Sequence, residues 1–282
     1  MMLEPELPSV APPREYGRLT GDEELLLGGV ANAGAVVRSG PHVLRPSNEH
    51  SHSILKFLSR LEALGFDAAP SPVGLEPDGR ERLRFIEGEV AIPPYPRWAQ
   101  SDEALASMVT LIRRLHDTSE QVDTSDLSWS SELADPRSGP VICHNDVCLE
   151  NVVFRDGHAV ALLDFDFAAP GRRTFDLAAF ARMCVPVDDE INAARLGWDA
   201  SDGPNRLRIV CDSYGLDTAS RLDVLASLSD AIATGGEFVR RHVEAGDPGF
   251  VRMWNDMGGM ERFDRRRRWW AERMPDFEAA LR

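Results

Sequence analysis

The sequence feature that most constrains this chain is an Asp and an Asn five residues apart, followed by a hairpin and a second Asp. Residues 144–151 read HNDVCLEN, and two β-prone stretches, 152–155 and 158–163, flank an Asp156-Gly157 pair. Asp-Gly between two apolar stretches is the strongest short-range signal for a β-hairpin. Such a hairpin predicts that Asn151, at its start, lies close to Asp164, at its end.

The side chains of Asp146, Asn151 and Asp164 are those that phosphoryl transfer from ATP to a hydroxyl requires. Mg2+ that bridges phosphate oxygens needs hard oxygen ligands, which the Asn151 amide and the Asp164 carboxylate supply. Asp146 can then accept the proton of the attacking hydroxyl and align it. His144 is interpreted as a structural residue that fixes the loop backbone. The segment therefore indicates a small-molecule kinase that uses ATP and Mg2+.

The segments HNDVCLENVVF and LLDFDFAAPGRRTFDLAAFA resemble the aminoglycoside phosphotransferase family. The resemblance covers roughly residues 20–275. It implies an α+β, protein-kinase-like, two-lobed fold with an antiparallel-sheet N-lobe and a mainly helical C-lobe. It also marks Asp146 as the catalytic base, Asn151 and Asp164 as Mg2+ ligands, and Asp176 as an acid that stabilises the catalytic loop.

The N-terminal lobe, residues 1–88 with residues 1–20 as a tail, is predicted to cover the nucleotide, and residues 89–282 to form the catalytic and substrate-binding lobe. Turn residues punctuate three short apolar stretches of the first lobe, which predicts strands over residues 25–30, 33–38 and 42–45. The residues expected to contact ATP are Asn32 in the first turn, Arg45 at the end of the third strand, and the backbone of Phe85, Ile86 and Glu87, the last three by resemblance.

Arg45 stands where the resembled family carries a lysine that pairs with the α and β phosphates. The chain has one lysine, Lys56, among its 31 basic residues, so Arg45 is predicted to take this role through its bidentate fork. The next helix is predicted over residues 48–64 with Asn48 as its N-cap. That stretch is acidic only near its two ends, so no carboxylate partner is assigned to Arg45.

The second lobe is predicted to be mostly helical, because apolar residues recur there at helical spacing. Its four cysteines lack paired spacing and are expected to be reduced, buried thiols of a cytoplasmic protein. The Pro-rich, acidic start does not resemble a secretory signal, and no stretch is apolar enough for a membrane helix. Helices are expected over residues 101–116, 173–183, 206–214, 219–245 with a break, and 250–281.

The formal net charge is −15 at pH 7, with a sequence pI of about 4.9. Such a charge repels nucleic acid and anionic membranes and attracts cations, so a cationic small-molecule partner is expected. The arginine run at residues 265–268 is interpreted as a solvated helix face, since acids flank it. The acids predicted to meet ammonium groups of the substrate are Asp166, Asp188, Asp189, Glu190, Asp202 and Glu237.

The leading hypothesis is an ATP-dependent O-phosphotransferase that modifies a hydroxyl of a cationic antibiotic and so confers resistance. The antibiotic would be an aminoglycoside or a cationic cyclic peptide such as capreomycin or viomycin. The same fold could instead phosphorylate a metabolite such as a sugar, choline or homoserine. A catalytically silent, kinase-like immunity protein is a third reading, which the presence of Asp146, Asn151 and Asp164 disfavours.

Overall fold

The computed structural model describes residues 23–26, 35–199 and 202–282 of the 282-residue chain. An antiparallel five-stranded sheet occupies the N-terminal part, with strands in the spatial order β1-β2-β3-β5-β4. The predicted turn residue Asn32, residues 27–30 of the first predicted strand and residues 33–34 of the second lie outside the described residues. The strands of the sheet are β1 (Glu23–Leu25), β2 (Val37–Ser39), β3 (His42–Arg45), β4 (Pro72–Leu75) and β5 (Glu81–Arg84).

Helix α1 (Ser51–Ala63) follows β3 and is shorter than predicted. Asn48 is not its N-cap, because the Asn48 side-chain oxygen accepts a hydrogen bond from the His50 N–H at 2.8 Å, ahead of the helix. The Asn48 N–H in turn donates to Ser51 Oγ at 2.8 Å. Asn48 therefore closes a turn that leads into α1, a local alternative that Asn side chains often adopt.

The C-terminal part is mainly helical, as predicted. Ser101 caps α2 by accepting a hydrogen bond from the Ala104 N–H at 3.0 Å. The helices, with two short 3-10 turns at Arg97–Gln100 and Leu149–Asn151, are α2 (Asp102–Ser119), α3 (Arg173–Cys184), α4 (Glu190–Arg195), α5 (Gly203–Tyr214), α6 (Thr218–Glu244), α7 (Pro248–Asp256) and α8 (Gly259–Leu281).

Three helical predictions differ from the structure. Helix α6 is continuous, so the break predicted within residues 219–245 is wrong. The helix predicted over residues 250–281 is two helices, since Gly258 and Gly259 both take positive φ angles, 89° and 56°, and end the α-helical path between α7 and α8. Helix α4 was not predicted, although Asp189 caps it by accepting from the Asn192 N–H.

Two small antiparallel pairs carry the predicted catalytic segment, residues 144–164. Strand β6 (Val141–Cys143) pairs with β9 (Ala169–Gly171), and β7 (Val152–Arg155) pairs with β8 (His158–Leu162). Asp156 and Gly157 connect β7 to β8 with positive φ angles of 50° and 75°, as a two-residue hairpin turn requires. The hairpin prediction is confirmed.

One hydrophobic core runs from α1 to α8. The Phe57 ring of α1 packs edge-on against Trp129 at 5.3 Å and Phe165 at 6.4 Å between ring centroids, so α1 is attached directly to the residues beside Asp164. All four cysteines are buried and free, as predicted. Within the described ranges no helix is long and apolar enough to cross a membrane.

Candidate active site

The loop after β6 is held by one buried acid. Asp176, in the first turn of α3, accepts hydrogen bonds from the backbone N–H groups of His144 at 2.9 Å and Asn145 at 2.7 Å. It also contacts the His116 ring at 2.8 Å. Asn145 has a positive φ of 66°, an uncommon conformation that these contacts stabilise. Asp176 thus fixes the loop in the way that the family resemblance implied.

His144 connects this loop to the segment before Asp164. Its Nε2 lies 2.9 Å from the carbonyl oxygen of Leu163, and its Nδ1 is 3.4 Å from the Asp146 N–H, a long hydrogen bond. The two contacts assign Nε2 as the donor and Nδ1 as the acceptor. The ring is fully buried and packs on Phe165 at 4.6 Å between centroids. His144 therefore has the structural role predicted for it.

Asn151, the predicted Mg2+ ligand, is oriented by Asp146. Its Nδ2 donates to the Asp146 carbonyl at 3.0 Å and to Asp146 Oδ2 at 3.3 Å, so its Oδ1 points away from Asp146. The Leu163 N–H donates to the Asn151 carbonyl at 2.8 Å and ties the two ends of the hairpin together. Asp164, with a positive φ of 61°, follows directly. The structure thus brings Asp146, Asn151 and Asp164 to one place.

The electrostatics of this cluster suit a divalent cation. Burial raises the pKa of Asp146 to about 7, the nearby Asp164 adds to the rise, and Arg182 opposes it. Asn151 and Asp164 offer an amide oxygen and a carboxylate, which are hard donors of the kind Mg2+ prefers. A cation bound there would offset the crowding of negative charge, so the residues present fit a Mg2+ site.

Arg45 is surrounded by three carboxylates. Its Nε donates to Glu81 at 2.6 Å, one terminal nitrogen donates to Asp164 at 2.8 Å, and the other donates to Asp166. Burial alone would lower the Arg45 pKa, but the three acids outweigh it and raise the pKa. A guanidinium has five N–H groups, so two remain for phosphate oxygens. The predicted contact with ATP stays a prediction.

Glu81 is the residue of this network that sequence reasoning missed. It lies directly opposite Arg45 in the register of β3 and β5, is fully buried, and leaves its Oε1 without a partner among the described residues. A carboxylate partner of Arg45 was considered only on the following helix, whereas the acid is on the neighbouring strand. The available signal was an acid at the start of β5, two residues before Leu83, so that both side chains lie on the same buried face.

Asp166 and the other acids predicted to meet the substrate are mostly engaged by arginines. Asp166 pairs with Arg45, and Glu237 pairs with Arg240 on the exposed face of α6. Asp188 and Asp189 are buried and pair with three arginines of α8: Arg262 at 3.3 Å, Arg265 at 3.4 Å and Arg266 at 3.9 Å.

The run of arginines at residues 265–268 of α8 was predicted to be a solvated helix face. That prediction is wrong for part of the run. Arg266 is buried and also donates to two backbone carbonyls, of Val187 and Arg182, each at 2.9 Å. Among the predicted acids, Asp188, Glu190 and Asp202 line one cavity of about 670 Å3 together with Trp198 and Trp269. Glu190 is the most open of the three residues 188–190, with a side chain 76% exposed.

The segment after β5 offers backbone groups for a base. The Phe85 N–H donates to the Pro41 carbonyl at 2.9 Å, but Pro41 has no N–H that could donate to the Phe85 carbonyl. The Phe85 carbonyl therefore has no backbone partner within the described part of the chain, nor does the Ile86 N–H. The Glu87 carbonyl, by contrast, accepts from Arg155 at 2.8 Å. These groups are compatible with the predicted adenine contacts, which stay a prediction.

Arg38 covers this segment. Its guanidinium carbon lies 3.9 Å from the centre of the Phe85 ring, and its Nη2 donates to Glu87 at 2.7 Å. Arg38 stands opposite Val43 in the register of β2 and β3, so it shares the face of the sheet that carries Arg45. The space beside it, about 510 Å3, is lined by Glu24, Arg38, Gly40, Pro41, Phe85 and Glu87.

A second group of potential metal ligands is better explained as scaffold. His116, Cys143 and Asp176 place ligand atoms within 4.8 Å of one another. His116, however, is held between the Tyr214 hydroxyl and Asp176, each at 2.8 Å, and the Cys143 thiol donates to the Arg172 carbonyl at 3.4 Å. The three side chains are thus engaged in contacts that hold the loop after β6 in place.

The sheet, the mainly helical part and the Asp-Asn-Asp cluster between them define a kinase-like phosphotransferase fold. Solved structures share it. A choline/ethanolamine kinase family protein from Mesorhizobium loti matches with a TM-score of 0.60 at 18% identity, covering 93% of each chain. The gentamicin complex of APH(2")-IIa matches with a TM-score of 0.57 at 15% identity, covering 83% of this chain and 89% of that one.

Sequence comparison gives the family. The phosphotransferase enzyme family (APH) matches residues 125–210, which contain Asp146, Asn151 and Asp164. The trifolitoxin immunity protein of Rhizobium leguminosarum bv. trifolii is 34% identical over 206 residues, covering 71% of this chain and 77% of that protein. The chain belongs to the phosphotransferase enzyme family, as the resemblance in its sequence indicated.

Proposed function

We propose that this phosphotransferase moves the γ-phosphoryl group of ATP to a hydroxyl of an antibiotic or toxin, and so protects the cell. The observation that carries the proposal is the joint placement of Asp146, Asn151 and Asp164 around one point, with Asn151 Nδ2 fixed by Asp146. Phosphoryl transfer needs little from a protein beyond positioning and charge stabilisation, and these residues supply both.

Each residue has a distinct task in the proposed reaction. Asp146 accepts the proton of the acceptor hydroxyl and aligns its oxygen for attack. Asn151 and Asp164 would hold Mg2+, which neutralises charge on the phosphate oxygens when bound. Arg45, fixed by Glu81, keeps Asp164 in position and directs its two remaining N–H groups toward the nucleotide. Asp176 holds the backbone of the loop before Asp146 in position.

The proposed class of acceptor is inferred from the names of similar proteins. The 34% identical protein is named for immunity to trifolitoxin, and structural neighbours include the gentamicin complex of APH(2")-IIa and a macrolide 2'-phosphotransferase. These names support an antibiotic or toxin as the acceptor. The net charge of −15 favours a molecule that carries positive charge, in keeping with the cationic antibiotics of the sequence hypothesis.

A metabolite kinase is the second candidate. The cavity lined by Glu190, Asp202, Trp198 and Trp269 combines carboxylates with aromatic rings, a chemistry that suits a small ammonium compound. The choline/ethanolamine kinase family protein with the TM-score of 0.60 is named for such compounds. A neutral or ammonium metabolite that outperforms every antibiotic as an acceptor would favour this alternative.

The test is protection of cells together with the chemistry behind it. A sensitive bacterium expressing the wild-type chain, challenged with a panel of antibiotics and peptide toxins, should survive at least one of them. Mass spectrometry of the medium should show that compound carrying one phosphoryl group. Asp146→Asn at equal expression should give neither result. Protection that persists in Asp146→Asn, with the compound unmodified, would instead identify a silent immunity protein.

A further inference from the structure

Arg182, in the last turn of α3, is a charged residue without a protein partner. Within the described residues its side chain makes no hydrogen bond and no ion pair, and its Nε is sealed from solvent with nothing to accept from it. The neighbouring arginines are satisfied: Arg262 bonds to Asn192 and Asp188, and Arg266 bonds to two backbone carbonyls. Arg182 is partly buried, and guanidinium groups that are withdrawn from water are normally paired, so Arg182 is an exception.

The position of the Arg182 guanidinium is determined by a glycine. A Cβ atom added at Gly235 of α6 would lie 2.7 Å from Arg182 Nη1 and 2.8 Å from its Cζ, closer than such atoms can approach. The guanidinium therefore packs against the bare backbone of α6. Two residues further along α3, Cys184 Sγ is 3.6 Å from the carbonyl of Val147, the residue after Asp146. The Arg182 side chain thus packs against α6, and the end of α3 that carries it contacts the loop with Asp146.

Arg182 lies within electrostatic range of Asp146 but does not bind it. Burial lowers the pKa of Arg182 and the charge of Asp146 is the strongest opposing influence, yet the two side chains form no ion pair. The other nearby acid, Asp188, is shared by Arg262 and Arg266. Arg182 is therefore the cation that acts most strongly on Asp146, in a cluster whose other charged members are the acids Asp164 and Glu150.

We propose that Arg182 binds a carboxylate of the acceptor, next to the hydroxyl that Asp146 serves. A guanidinium fork matches a carboxylate bidentately, and an anion would bind the two terminal nitrogens of Arg182, for which the described residues offer no acceptor. The inference rests on the proposed phosphotransfer and narrows its substrate class to hydroxy acids, including amino-acid-like units of larger molecules. An acceptor with both ammonium and carboxylate groups satisfies the acidic surface and Arg182 together.

The first experiment compares acceptors that differ by one carboxylate. Pairs such as serine with ethanolamine, and homoserine with 3-aminopropanol, are assayed with ATP and Mg2+. The carboxylate member of a pair should have a kcat/KM about 10- to 100-fold higher in the wild type, the range expected for a hydrogen bond to a charged group. Arg182→Met should remove this preference through KM, so that the two members of a pair become nearly equal, whereas Arg182→Lys should keep part of it.

A matched pair of glycine variants tests the placement of Arg182 without deleting it. Gly235→Ala puts a methyl group into the guanidinium and should reproduce the loss of preference. Gly236→Ala, on the same helix, meets the Phe263 ring at 3.3 Å instead and should preserve the preference. Both changes replace a helical glycine by alanine, so a difference between them cannot come from helix propensity.

A binding measurement separates this proposal from its alternatives. With a non-hydrolysable ATP analogue and Mg2+ filling the nucleotide site, inorganic sulfate should raise the melting temperature of the wild type more than that of Arg182→Met. If sulfate raises the melting temperature through Arg182 only when ADP replaces the ATP analogue, Arg182 binds the transferred phosphoryl group, and the proposal is wrong. A wild-type preference for the acceptors without a carboxylate would also contradict the proposal. If the wild type phosphorylates no compound in the panel, the proposed phosphotransfer is contradicted for these acceptors. The Arg182-dependent shift in melting temperature with sulfate then tests anion binding by Arg182 separately.

Discussion

The catalytic segment and the region where α3, α4 and α8 meet differ in how far apart their interacting residues are in the chain. In the catalytic segment, Asn151 bonds to Asp146 five residues away, and His144 reaches Leu163 at a separation of 19. In the other region, Asp188 meets Arg262 at a separation of 74, and Asp189 meets Arg265 at a separation of 76. A motif encodes contacts of the first kind, while only the assembled fold creates those of the second.

The largest expected effect falls on the catalytic segment. Asp164→Asn removes a carboxylate ligand but keeps a side chain that tolerates the positive φ of 61°. Loss of metal-assisted charge stabilisation, worth several kcal/mol, should lower kcat/KM for ATP more than about 100-fold. Mn2+ binding followed by electron paramagnetic resonance should weaken in parallel. Asp156→Asn, in the exposed hairpin turn, is the control and should match the wild type in both measurements.

The next effect tests the second region and concerns stability. Asp188→Asn breaks buried contacts with Arg262, Arg266 and the Asn192 amide, and should lower the free energy of unfolding by about 3 kcal/mol. Glu237→Gln, which removes an exposed pair within one helix, should leave it close to the wild-type value. Urea denaturation of both variants gives the comparison. If Asp188→Asn keeps wild-type stability and instead raises the KM of a cationic acceptor, Asp188 is a substrate contact, as the sequence suggested.

These two regions also show how much the sequence could predict. The hairpin, the Asp-Asn-Asp cluster and the capped helix α2 depend on turn chemistry and periodicity within short stretches, and they were predicted correctly. Glu81 and Arg182 were not found, because the role of each depends on a neighbour from another element: the register of β3 against β5, and the approach of Gly235. The split at Gly258-Gly259 was a local signal that periodicity alone overlooked.

A smaller effect is expected where the two kinds of contact join, at Arg45. Arg45→Lys cannot bridge Glu81, Asp164 and Asp166 with one ammonium group, so ATP use should fall about tenfold in kcat/KM. Arg60→Lys on α1, which loses a partly exposed guanidinium paired with Asp126, is the matched control. Unchanged ATP kinetics in Arg45→Lys would show that the phosphate contacts lie elsewhere.

The smallest effect is a pH dependence of stability from Asp135, which holds the Arg172 side chain and backbone beside β9. Burial raises the Asp135 pKa, but hydrogen bonds from Arg172 and from backbone N–H groups outweigh it and the pKa is lowered. Because the unfolded-state pKa is about 3.9, the contribution is present above that pH and is lost as the pH falls through the lower folded value. Urea unfolding of Asp135→Asn should therefore show a flatter decline below about pH 4 than the wild type. If the free energy of unfolding falls equally steeply in both proteins below about pH 4, the Asp135–Arg172 pair does not contribute to the loss of stability in acid.

The central claim is that Asp146 serves the acceptor hydroxyl in phosphoryl transfer from ATP. The direct measurement follows labelled γ-phosphoryl from ATP through a single turnover with an acceptor identified in the panel. The wild type should place the label on the acceptor hydroxyl, and Asp146→Asn should bind ATP within a few-fold but transfer label about 100- to 10,000-fold more slowly. Transfer by Asp146→Asn at a near wild-type rate, or release of the wild-type label only as inorganic phosphate, would contradict the account.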